Sequence, residues 1–170
     1  KGGCQKFMYF GTDEVFGPAP LGTAYHADAR YRSGNPYAAG KAGGEEMAVA
    51  YHNTYRLPVI VTHTVNVFGV RQHPEKFIPL VIRDLTKGQK VQIHACQGVL
   101  GSRFYIPVPD VCRGVMFLLK NGMSGEKYNL TSHWEQDNLA LASKIASIME
   151  KEMDYKLVDS KVFLDALPFW

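Results

Sequence analysis

Short apolar runs, separated by stretches rich in glycine, proline and polar residues, alternate along this chain between strand length and helix length. Residues 6–10 are apolar on both faces and predict a short buried strand of the parallel type. Residues 11–35 show no periodicity and read as a long loop, a length that is usually functional or disordered. Pro36 suits the first position of a helix, where its missing N–H costs nothing. The helix then runs from 37 to about 55, with Met47, Val49, Ala50 and Tyr51 available for packing. Residues 58–63 form the next strand, so strand, helix and strand follow in the order of a parallel βαβ unit.

Further along, 77–86 reads as a helix, and 91–94 and 103–106 as short strands. Asp110 is a candidate N-cap for a helix to about 121, with Gly122 as its stop. Residues 127–130 form a strand, Asp137 or Asn138 starts a helix to about 151, and 155–158 form a last strand. Gly40, Gly43 and Gly44 each weaken the 37–55 helix by ~1 kcal/mol relative to alanine. Two readings stand for them: they admit a cofactor or a partner helix closely, or they are simply tolerated. The class is α/β, with no internal repeat and no low-complexity segment.

Composition narrows the function. The chain has 170 residues, 46% hydrophobic and 21% charged, enough for a real core. A formal charge of +3 with dispersed basic residues argues against a nucleic-acid partner. No apolar run approaches the ~18 residues of a membrane helix, so no membrane partner is expected. Cys4, Cys96 and Cys112 are far apart, without a Cys/His cluster for a metal, and read as free thiols of a reducing cytoplasm. The chain starts with Lys1, almost directly on a strand, and ends on apolar Leu167-Pro168-Phe169-Trp170. Both ends suggest a segment of a longer protein.

The chemistry concentrates in two motifs. In Asn35-Pro36-Tyr37-Ala38-Ala39-Gly40-Lys41 a phenol and an ammonium lie at i and i+4, one turn apart on one helix face. A nearby ammonium favours a phenolate, which can take a hydroxyl proton while hydride leaves the same carbon. In Gly11-Thr12-Asp13-Glu14-Val15-Phe16-Gly17 a hydroxyl and two carboxylates follow directly on a strand. Paired carboxylates can act as acid and base if their surroundings separate them. Alternatively Asp13 caps a turn and Glu14 is solvated. The carboxyl end of a strand, where α/β sheets bind ligands, weighs toward function.

These motifs resemble the extended short-chain dehydrogenase/reductase family, most closely its nucleotide-sugar 4,6-dehydratases with their Thr-Asp-Glu-Val-Tyr-Gly and Tyr-x-x-x-Lys sequences. The resemblance covers roughly residues 6–151. It implies the C-terminal part of a Rossmann-like parallel sheet plus a small α/β substrate-binding region. Residues 1–70 would be the second half of the catalytic domain, and 71–170 mostly the substrate-binding region, with possible strands or helices returning to the sheet. It also implies NAD as cofactor, a nucleotide-sugar substrate and a homodimer formed through the Tyr-Lys helix. By position, Tyr37 is the base at C4 of the hexose, Lys41 its tuner, Thr12 its hydroxyl partner, Asp13 the acid at the C6 hydroxyl and Glu14 the base at C5. Thr12, Tyr37 and Lys41 would also touch NAD. The intact Asp-Glu pair favours the dTDP- or UDP-glucose branch, and the residues do not decide between those nucleotides.

Downstream, Asn66-Val67-Phe68-Gly69 and Pro74-Glu75-Lys76-Phe77-Ile78-Pro79 resemble the family's Asn-Asn-Tyr-Gly and Pro-Glu-Lys-Leu-Ile-Pro. This implies that Asn66, Lys76 and Phe77 hold the sugar nucleotide, with Lys76 near the diphosphate. Val67 falls where a family asparagine approaches NAD, so that polar contact is lost. Gln92 and His94 fall on the strand beside the nucleotide base. Arg103, whose forked donors suit a diphosphate, keeps the family's spacing to Asp110. Asn129, after Tyr128, lies near the substrate. Gly11 replaces a usual serine and Phe16 a usual tyrosine, and the likeness fades after about 157. No Gly-x-Gly-x-x-Gly follows a strand, so the principal NAD-binding half is expected outside this segment, and the segment alone is expected to be inactive. Three readings follow: a 4,6-dehydratase, a sibling epimerase or decarboxylase that does not need Asp13, and a non-catalytic sugar-nucleotide-binding paralogue.

Overall fold

In chain order the elements are β1 (Phe7–Thr12), a 3-10 turn (Asp13–Phe16), α1 (Pro36–Tyr55), β2 (Val59–Thr64), β3 (Asn66–Phe68), α2 (Phe77–Thr86), β4 (Val91–Cys96), β5 (Val99–Leu100), β6 (Ser102–Pro107), α3 (Val108–Asn121), β7 (Lys127–Leu130), β8 (Glu135–Asp137), α4 (Asn138–Ile148) and β9 (Tyr155–Asp159). They come from a computed structural model that describes residues 3–19, 23–96 and 98–159. The apolar end at 167–170 lies outside the described residues. The chain divides into two units, Lys1–Val67 with Ile106–Ser132, and Phe68–Tyr105 with His133–Trp170.

In the first unit β2 is the central strand of a parallel sheet in the order β1-β2-β7. All six of its positions are buried, as its β-branched run requires for a strand covered on both faces. The register pairs Phe7 with Val59 through Thr12 with Thr64, and Thr64 with Leu130. The carboxyl ends of the three strands therefore lie level, and Thr12 stands on that edge.

Helix α1 links β1 to β2 and packs Ala48 and Val49 on Val59, Val61 and Tyr9. Of the side chains expected to pack, only Val49 does. Met47 and Tyr51 are 60% and 46% exposed, and Ala50 is also exposed. The helical period explains this: Ala38, Glu45 and Ala48 share the buried face, and the other three project away from it. Phe7 and Phe10 of β1 are similarly open to solvent. A second cluster joins Val65, Ile106 and Val111 with Val67, Val115 and Leu130.

In the second unit β4 is flanked by antiparallel β5 and parallel β9. Its alternation is strict: Val91, Ile93 and Ala95 are buried, Gln92 and His94 exposed. Val91 and Ile93 pack on Val81 and Leu85 of α2 and Ala142 and Ala146 of α4. β6 pairs antiparallel with β8 from Ser102↔Asp137 to Phe104↔Glu135. Phe68, Tyr105 and Trp134 form an aromatic cluster beside them.

Several boundaries move from the sequence expectation. β1 continues through Gly11 and Thr12, because both keep pairing with β2. Pro107, not Asp110, is the N-cap of α3, and Asp110 sits in the first turn, ion-paired with Arg113. Gly122 does end α3, but with φ −64° rather than in the left-handed region. Crowding selects glycine there: a Cβ would sit 2.8 Å from Ile60 Cδ1. Asp137 caps α4 by accepting from Ala140 N at 2.8 Å, and the helix stops at Ile148. β3, β5 and β8 were not expected; at two or three residues they are too short to show a period.

Candidate active site

The first unit assembles the acid–base motif around the carboxyl end of β1. Thr12 is extended and buried, and its Oγ1 accepts from Glu14 N and donates to Asp13 Oδ1, both at 3.4 Å. That threonine caps the 3-10 turn, which leaves Asp13 and Glu14 half-buried while Val15 and Phe16 point inward. The turn closes at Gly17, φ 71°, where a Cβ would lie 2.5 Å from Arg32 O, so only glycine fits.

Asn35 joins the turn to helix α1. Its Oδ1 caps the helix by accepting from Ala38 N at 2.7 Å, while its Nδ2 donates to Glu14 Oε2 at 3.0 Å. One side chain thus fixes the helix start that carries Tyr37 and orients Glu14. Tyr37 is 58% exposed, in the first turn of α1. Lys41, one turn on, donates from Nζ to Phe10 O at 2.5 Å, so its ammonium also reaches the end of β1. An ammonium has three donors, which leaves capacity for ligand hydroxyls.

Tyr9 anchors this helix to the sheet. Its hydroxyl donates to Lys41 O at 2.9 Å, and the Lys41 ammonium lies 4.9 Å from its ring centroid. Burial raises the Tyr9 phenol above its ordinary value, and Glu45 and then Tyr37 add to the rise. The glycines now separate. A Cβ on Gly44 would overlap the Tyr9 hydroxyl, whereas Gly40 and Gly43 have nothing within 4 Å.

Behind the motif lies a polar cluster in the core of the same unit. Glu45 and His63 are buried, with His63 Nε2 3.1 Å from both carboxylate oxygens. Lys127 Nζ is 3.1 Å from Glu45 Oε1 and donates to the Tyr31 hydroxyl at 2.6 Å, and that hydroxyl donates to Glu45. His63 Nδ1 is 3.2 Å from Asn129 Oδ1, and Asn129 Nδ2 donates to Tyr25 O at 2.9 Å. Gly11 makes room: a Cβ there would sit 2.5 Å from Thr62 O and 3.5 Å from Glu45 Oε2.

In the second unit α2 and β4 form a cleft of about 180 Å³ lined by Phe77, Leu80, Val81, Arg83, Asp84, Val91, Gln92 and His94. It brings together three of the residues expected at the nucleotide. Exposed Lys76 precedes it as the N-cap of α2, without a side-chain cap bond. Arg103 sits on β6 opposite Gln136 and does not line the cleft. It partly offsets the burial that raises the Tyr105 phenol. Asn66 begins β3 in the first unit, and Val67 packs on the Val65 cluster. Among the described residues, no group of three or more His, Cys, Asp or Glu could hold a metal, and no helix is long and apolar enough to cross a membrane.

Comparison with known proteins places this geometry. Residues 1–131 match the NAD dependent epimerase/dehydratase family. The chain belongs to that family. It is 38% identical over 140 residues to the dTDP-glucose 4,6-dehydratase of Streptomyces niveus, a match covering 82% of this chain and 41% of that protein. It is 32% identical over 165 residues to the Haemophilus influenzae dTDP-glucose 4,6-dehydratase, covering 96% of this chain and 48% of the relative. The solved dTDP-glucose 4,6-dehydratase of Bacillus anthracis, in complex with NAD, superposes with a TM-score of 0.86 at 31% identity, covering 91% of this chain and 50% of that one. The chain thus spans about half the length of the relatives it matches.

Against this family background, the motif residues sort by element. Thr12, Asp13, Glu14, Tyr37 and Lys41 share one neighbourhood of the first unit, and Phe77, Gln92 and His94 share the cleft of the second. Sequence reasoning missed the roles of Asn35, Tyr9 and the Glu45–His63–Lys127 cluster. The Asn-Pro pair before a helix is an N-cap signal, but the contact with Glu14 spans a loop with no period to read. The cluster had no linear signal, because its members come from α1, β2, β7 and the loop before α1.

Proposed function

We propose that the protein containing this chain is an NAD-dependent nucleotide-sugar 4,6-dehydratase acting on a dTDP- or UDP-glucose. The observation that carries the reading is Asn35, which ties the start of the Tyr37 helix to the Glu14 carboxylate and so gathers phenol, ammonium and the Asp-Glu pair at one strand end. The donor set fits a nicotinamide ribose: Lys41 retains ammonium hydrogens, and Thr12 and Tyr37 offer hydroxyls on the same edge. When bound, NAD takes hydride from C4 of the hexose and returns it at C6.

Tyr37, as phenolate, takes the proton of the C4 hydroxyl, with Thr12 hydrogen-bonding that oxygen and Lys41 supporting the phenolate charge. The resulting C4 ketone acidifies the C5 proton, which Glu14 removes while Asn35 holds its carboxylate. Asp13 protonates the departing C6 hydroxyl, which leaves as water. Glu14 returns its proton to C5 as C6 is reduced, giving the 4-keto-6-deoxy sugar. Acid and base work is thereby divided between neighbouring carboxylates.

On this reading residues 1–70 carry the catalytic groups, and 71–170 mostly bind substrate. Phe77, Gln92 and His94 take the nucleotide base in the α2–β4 cleft, Lys76 and Arg103 serve the diphosphate, and Asn66 and Asn129 hold the sugar nucleotide. Val67 lies beside NAD and brings no side-chain amide to it. The enzyme is a cytoplasmic homodimer: three free cysteines support the compartment, and the exposed Met47, Tyr51 and Tyr55 of α1, next to open Gly40 and Gly43, support the dimer face.

The test is incubation of the natural protein with dTDP-glucose and UDP-glucose, following the alkali-induced absorbance of a 4-keto sugar, beside Asp13→Asn and Tyr37→Phe. Product in the wild type and its loss in both variants is expected. A change of configuration at C4 without loss of water would replace the reading with an epimerase.

A further inference from the structure

The proton steps above leave unused the most deeply buried ionisable side chains of the first unit. Glu45 and His63 are 0% and 1% exposed. Burying a carboxylate against an imidazole is costly unless each is fully partnered, and a packed apolar pair of similar volume is often as stable. Their partners point to a purpose. Each ring nitrogen of His63 faces a side-chain oxygen: Glu45 Oε1 at Nε2 and Asn129 Oδ1 at Nδ1. Phe16 packs edge-on against the ring, with centroids 4.6 Å apart, and blocks its rotation. Lys127 and Tyr31 hold Glu45 from the other side.

We infer that His63, held by Glu45, fixes the orientation of the Asn129 carboxamide and so acts as a positioning residue for the nucleotide sugar. The inference rests on the dehydratase reading for its ligand. Asn129 is itself exposed, yet both ends of its amide are committed. Its Nδ2 donates to Tyr25 O and its Oδ1 faces His63, so a flip would set two oxygens together at Tyr25. Beyond those bonds the amide keeps one lone pair and one N–H, held in one fixed sense. Tyr25 and Tyr31 come from the loop before α1, so the same cluster also holds that loop on the sheet. His63 touches no reacting atom and moves no proton in the reaction.

The experiment is a double-mutant cycle in the natural protein, with His63→Gln, Asn129→Ala and the pair, reading KM and kcat for the nucleotide sugar. His63→Gln keeps a donor toward Glu45 and is the variant chosen to fold; thermal melting checks that it does. The expected result is a KM raised about five- to tenfold in each single variant, with kcat within about twofold, and no further rise in the pair. Multiplying effects, or a KM unchanged in either single variant, would overturn the inference. A wild type that turns over no nucleotide sugar would instead remove the dehydratase reading. The side-chain amide resonances of Asn129 then decide positioning separately: a shift in His63→Gln supports it, and identical resonances overturn it.

Discussion

On the dehydratase reading, replacing Asn35 separates the stability of helix α1 from the chemistry proposed for Tyr37 and Glu14. Asn35→Ala removes the cap on Ala38 N, seen at 2.7 Å, and the donor to Glu14 Oε2, seen at 3.0 Å. The cap is worth about 1 kcal/mol, which for a protein of this size lowers Tm by about 2–4 °C. A hydrogen bond to a charged group contributes about 1.5–3 kcal/mol. Glu14 is only half-buried, so about 1 kcal/mol, roughly fivefold in rate, is the fair expectation. Asn35→Asp discriminates. Its carboxylate still accepts from Ala38 N and suits the positive helix N-terminus, but it opposes Glu14. Asp at 35 therefore keeps Tm within about 1 °C of wild type while slowing the C5 proton transfer at least as much as Ala does. Thermal melting and incorporation of solvent deuterium at C5 of the product read the two effects. If the Asp variant melts as low as the Ala variant, Asn35 is not the cap. If both exchange at wild-type rate, it does not orient the base.

Three further outcomes follow from the packing. The folded state holds the Tyr9 phenol protonated above its ordinary value, so its contribution is present below about pH 10 and is lost as pH rises through the folded value; Tyr9→Phe removes that alkaline loss, but at pH 8 costs about 1 kcal/mol for the bond to Lys41 O, both measurable by urea unfolding at several pH values. Gly43→Ala, into open space, adds the ~1 kcal/mol of helix propensity and raises Tm by about 2–4 °C, whereas Gly44→Ala lowers it because its methyl meets the Tyr9 hydroxyl; equal shifts would sink the distinction. Ile93→Ala, at a site 0% exposed between α2 and α4, costs about 2–5 kcal/mol by denaturant titration, and a loss under 1 kcal/mol would mean that this core is loosely packed.

The sequence alone determined the α/β class, the parallel βαβ unit and the acid–base motifs. Strands such as Val59–Thr64 carry a continuous β-branched run, helices such as Phe77–Thr86 their own local period, and Thr12-Asp13-Glu14 and Tyr37-x-x-x-Lys41 are contiguous, so neighbours along the chain suffice to specify them. The strand at 91–94 was legible in the same way, whereas the exposed face that Gln92 and His94 share was read from the structure. Tertiary structure alone decided what depends on distant partners. It turned Met47, Ala50 and Tyr51 outward, chose Gly44 rather than Gly40 or Gly43 as the close-packed glycine, and buried Glu45 against His63 and Lys127. Those outcomes depend on which strand lies opposite a given helix turn. A buried charge looks like a surface charge in a linear sequence until the fold brings up the groups that neutralise it.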